Sequence, residues 1–120
     1  MDRKALLVAS VTGTIAQVAM VVAGHFIPWI ADNLFALGGV ALSAAAGVIY
    51  ARKAAAGPGL LGGAAAGAIC AVIGIAVSAL LGDVPWMLVL FGGAASAVGG
   101  LAGAWGQRLV SGRIARRSPR

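Results

Sequence analysis

The chain has 120 residues, of which 61% are hydrophobic and 10% charged, with 9 Lys and Arg against 3 acids for a formal net charge of +6. Globular proteins average about 45–50% apolar and about 25% charged residues, so these charges are too few to coat a water-soluble surface. The 19 glycines follow no G-X-Y period, which excludes collagen, and the hydrophobic content excludes a Gly-rich disordered chain.

Four apolar runs of membrane-crossing length follow in chain order: residues 5–26, 33–51, 59–81 and 86–107. A helix of about 22 residues is about 33 Å long, enough for a bilayer core. None of the runs has Lys, Arg, Asp or Glu in its interior. The first run is longer than the roughly 7–15 apolar residues of a signal peptide, and is read as a retained span. Pro28, Pro58, Pro85 and Pro119 all fall between the runs or after them, as expected of a residue that breaks helix interiors. The predicted fold is therefore all-α: an integral membrane four-helix bundle, residues 1–107, made of two antiparallel transmembrane hairpins. Residues 108–120 form a basic tail.

Charge predicts the orientation. Arg3 and Lys4 precede the first span, Arg52 and Lys53 separate the second and third, and Arg108, Arg113, Arg116, Arg117 and Arg120 follow the fourth. With four spans these regions share one side, and the bias in Lys and Arg places that side, with both termini, in the cytoplasm. The expected location is the plasma (inner) membrane. The other side carries His25, Asp32 and Asp83. Trp29 and Trp86 at one end, with Tyr50 and Trp105 at the other, read as two interfacial aromatic belts.

Helices in lipid associate by close packing, which small residues permit. Each span has such a seam at i, i+3 or i+4 spacing. The first has Ser10, Gly13, Gln17 and Gly24; the second Gly39, Ser43 and Gly47. The third has Gly63, Gly67, Cys70, Gly74 and Ser78. The fourth has Gly92, Ser96, Gly99, Gly103 and Gly106. Further small residues, Gly59, Gly62 and Ala66 with Gly93, Ala97 and Gly100, form second faces suited to another copy or another subunit. Pro-Trp recurs at Pro28-Trp29 and Pro85-Trp86, which suggests hairpins repeated about an axis along the membrane normal.

A few polar residues are candidates for function. Ser10, Thr14 and Gln17 stand on the first span, where membrane glutamine either bonds across helices or lines a polar path for a small permeant. His25, Asp32 and Asp83 have the chemistry to hold a divalent metal or to make His25 a pH sensor. The plainer reading is solvated loop residues, with Asp32 as N-cap of the second span; no metal and no cofactor is expected. Cys70 is the lone cysteine and reads as a small packing residue. The arginines of the tail read as contacts to anionic lipid headgroups, with no nucleic-acid partner expected.

In length and span count the chain is similar to the small multidrug-resistance exporters, but those depend on a glutamate in the first span, and here it has no acid. No paired catalytic groups stand together in the sequence, so an enzyme is not expected. Three readings remain. The first is a non-catalytic structural or accessory subunit, packing its glycine faces against itself as a homo-oligomer or against a larger membrane complex. The second is a small oligomeric channel or transporter using Ser10, Thr14 and Gln17. The third is a holin-like lytic pore.

Overall fold

The computed structural model describes residues 1–54 and 59–118, and all regular structure among them is helical. Four helices follow in order: α1 (Arg3–Phe26), α2 (Pro28–Lys53), α3 (Leu60–Leu80) and α4 (Met87–Arg117). All four are long and apolar enough to cross a membrane. Pro58, Pro119 and Arg120 lie outside the described residues.

Local chemistry explains the helix ends. Asp2 caps α1: its carboxylate accepts from the Ala5 N–H at 3.0 Å, satisfying one of the helix's orphan donors. The Asp2 N–H itself donates to the Tyr50 hydroxyl at 3.0 Å. Ile27 alone separates α1 from α2, extended at φ −122° and ψ 94°. The proline after it disfavours the helical region for Ile27. Pro28 is then the first residue of α2, where a missing N–H costs nothing. This corrects the expected boundary, because Pro28 opens a helix rather than occupying a loop. It also corrects the expected cap: Ile27 stands at the N-cap of α2, and Asp32 lies inside the helix.

The end of α3 is a Schellman motif. Gly82 has φ +83°, its N–H bonds to the Ala79 carbonyl at 3.1 Å, and the Asp83 N–H bonds to the Ser78 carbonyl at 3.0 Å. In the first turn of α4, Leu88 N–H bonds to the Pro85 carbonyl and Val89 N–H to that of Trp86, both at 3.0 Å.

Every pair of helices touches except α1 and α4. Around the bundle the order is α1, α2, α4, α3, with α2 and α3 meeting across the middle. Exchange of the two hairpins would carry the α2–α3 contact onto α1–α4, which do not touch. The packing therefore departs from the symmetry suggested by the two Pro-Trp steps. Those steps also differ locally, since Pro28 is helical and Pro85 precedes its helix.

The closest approaches are backbone to backbone. A Cβ on Gly47 would strike the carbonyl of Gly100, and one on Gly103 that of Ala44. A Cβ on Gly67 would lie 2.5 Å from the Ser96 carbonyl oxygen, and one on Gly99 3.0 Å from that of Val40. Thus α4 sits in the groove between α2 and α3. Much of the second small faces meets neighbours inside the chain: Gly62 receives the Tyr50 ring, Gly100 meets Gly63 and Gly67, and Ala66 is fully buried, while Ala97 is half-buried. The reason is the arrangement itself, because α3 touches three helices and α4 two. Tyr50 is likewise buried beneath α1 and α3 and faces no interface, whereas Trp29, Trp86 and Trp105 are exposed.

Candidate functional site

Midway along the bundle a polar knot ties three helices. Gln17 of α1 donates through Nε2 to the Gly39 carbonyl at 2.9 Å and to Ser43 Oγ at 3.3 Å, both on α2. Ser43 has one hydroxyl proton to offer, to the Gly39 carbonyl at 2.8 Å or to the Gly67 carbonyl of α3 at 3.3 Å. Cys70 Sγ donates to the same Gly67 carbonyl at 3.2 Å. Cys70 is fully buried, and a Cβ on Gly13 would come within 3.0 Å of its own Cβ. It therefore fills the space that Gly13 leaves.

From this knot towards the two short turns, the helices enclose a cavity of about 380 Å³. Gln17, Met20 and Val21 contribute from α1, and Ala71, Ile75 and Ser78 from α3. The remaining walls come from α2, through Phe35, Ala36 and Val40, and from α4, through Leu88, Phe91 and Ala95. The tight α2–α4 contacts all lie at Val40 or further from the turns. Nearer the turns Gly38, Gly92 and Gly93 meet Met20, Ile75 and Val72 instead, and the cavity-lining Ala36, Val40, Leu88, Phe91 and Ala95 of α2 and α4 are exposed, which puts the cavity's lateral mouth between these two helices. Ser78 and Ser96 line the cavity beside Gln17. Their positions in the seams were readable from helical spacing; their meeting in one cavity was not.

The three polar residues predicted on α1 do not share a wall. Gln17 is in the cavity, while Ser10 and Thr14 lie on a shallow groove between α1 and α3 with Leu7, Val11, Ile69 and Ile73. The Ser10 hydroxyl is buried without a hydrogen-bond partner among the described residues.

Near the turns, His25 Nδ1 meets both carboxylate oxygens of Asp83, at 2.9 and 3.0 Å. This contact ties the end of α1 to the α3–α4 turn. Asp32 is exposed on α2, and no three potential metal ligands gather among the described residues. At the opposite end, Arg52 Nε donates to Gln107 Oε1 at 3.1 Å, and Gln107 Nε2 to Ser111 Oγ at 3.1 Å. Beyond them α4 continues as helix, with Arg108, Arg113, Arg116 and Arg117 exposed along it.

The chain matches no protein-family model, no curated protein and no solved structure.

Proposed function

We propose that the chain is a multi-pass protein of the plasma (inner) membrane, built from two antiparallel hairpins with both termini in the cytoplasm. In this reading it is a non-catalytic structural or accessory subunit, acting as a homo-oligomer or within a larger membrane complex. The observation that carries it is the interior at and beyond the Gln17–Ser43 knot. There Gln17 donates to Gly39 and Ser43 and Cys70 donates to Gly67, and α4 packs on α2 and α3 with glycine backbones in contact. Such an interior favours a scaffold over a conduit. The Arg-bearing end of α4 would lie on anionic headgroups, each basic residue near the surface adding about 1 kcal/mol.

Purification in a gentle detergent tests the proposal. A larger species of fixed stoichiometry is expected, together with no solute flux from liposomes holding the protein alone. Flux that Gln17→Leu abolishes would overturn it. The cavity supports a second reading, a small channel or transporter with Gln17 on the cavity floor; that same flux experiment decides in its favour.

A further inference from the structure

We infer that the cavity between the helices is a binding site for a small uncharged amphiphile, entering sideways from the bilayer between α2 and α4. Its volume of about 380 Å³ falls within the range of about 300–1,000 Å³ usual for small-molecule sites. Its walls are largely apolar, and no Lys, Arg, Asp or Glu lines it. A charged ligand would be left there without a counter-charge, at a large desolvation cost. A pure hydrocarbon is also a poor fit, because the cavity carries an unanswered polar group.

That group is the hydroxyl of Ser78. Ser78 is 2% exposed, lines the cavity, and its Oγ has no hydrogen-bond partner among the described residues. A buried serine within a helix can satisfy its hydroxyl on the carbonyl four residues back, a bond open to Ser43 on Gly39 at 2.8 Å. Buried polar groups rarely go without a partner. The oxygen itself is covered as it stands, and a turn of the Ser78 side chain about χ1 would offer it to a hydroxyl or carbonyl head on the ligand, with Ser96 and Gln17 on the same lining. The apolar body would lie against Phe35, Ile75 and Phe91 towards the mouth. The site stands whether or not the chain serves a larger assembly.

The test is photolabelling of the full chain in neutral-lipid nanodiscs with a diazirine-bearing octanol. Adducts are expected on the α2 and α4 segments that frame the mouth. Excess octanol should displace them about five-fold better than octane, as one neutral hydrogen bond requires. Ser78→Ala removes an unpaired hydroxyl and should fold normally, yet lower the labelling about five-fold. Ala95→Phe, with its folded state checked by gel filtration, should abolish labelling of the cavity by filling the rim. Equal displacement by octanol and octane overturns the polar recognition. Adducts spread over the lipid faces of all four helices, unchanged by either substitution, overturn the site.

Discussion

A glycine in this chain has different worth at different positions, and the difference is steric. At Gly100 a Cβ would strike the carbonyl of Gly63, whereas at Gly112 a Cβ meets nothing. Overpacking costs about 1–3 kcal/mol and more where backbone must move; glycine in a helix interior costs about 0.5–1 kcal/mol relative to alanine. Gly100→Leu should therefore lose the folded form in mild detergent while still inserting, and Gly112→Ala should gain about 0.5 kcal/mol. Gel filtration and detergent-unfolding titration read the two effects. Gln17 is the one strongly polar side chain near mid-span, where the sequence allows a cross-helix bond or a polar path. It makes the bond and also faces the cavity, because its amide is long enough to reach α2 while its flank borders the space between helices. A double-mutant cycle of Gln17→Leu with Ser43→Ala should give a coupling of about 0.6 kcal/mol, typical of hydrogen bonds inside membranes.

At the scale of the element, the four helices were readable from apolar runs because lipid requires each span to satisfy its own backbone. Their ends were less readable. In the sequence Pro28 reads as a loop marker, yet it starts α2, since the effect of proline depends on whether an N–H is needed there. Asp2, a single acid among basic neighbours, caps α1, a role that its place just before a long apolar run permits. Gly82 marks the opposite case, where glycine after a long apolar run is a strong stop signal. Its φ of +83° is a conformation that costs other residues about 1–2 kcal/mol. Gly82→Ala should destabilise the bundle by about that amount and loosen the Asp83 contact with His25. Unfolding titration measures the first, and a change in the His25 ring chemical shifts the second.

At the scale of the whole molecule, α1 and α4 stand apart while α2 and α3 meet between them. That arrangement sets which glycine faces are used inside and which end of the bundle is open. α4 spans 31 residues, about 46 Å of helix, and so runs well past a hydrocarbon core of about 30 Å. The proposed topology has a direct check. In intact cells, a cysteine replacing Asn33 in a Cys70→Ala background should react with an impermeant maleimide added outside. One replacing Ser118 should react only after the membrane is opened. Labelling at position 118 from outside would overturn the assignment.

The number of apolar helices and the confinement of Lys and Arg to the chain's ends and the stretch between α2 and α3 depend on solvation, a property of each residue against lipid or water, and so they stand in the residue order alone. Which small faces meet depends on how four cylinders share one interior, and spacing along one helix carries no record of its neighbours. Gly62 and Gly100 looked spare for that reason, yet both are covered within the chain. The cavity has the same origin. Gln17, Ser78 and Ser96 stand on three helices, and only the packing of those helices brings them to line one space.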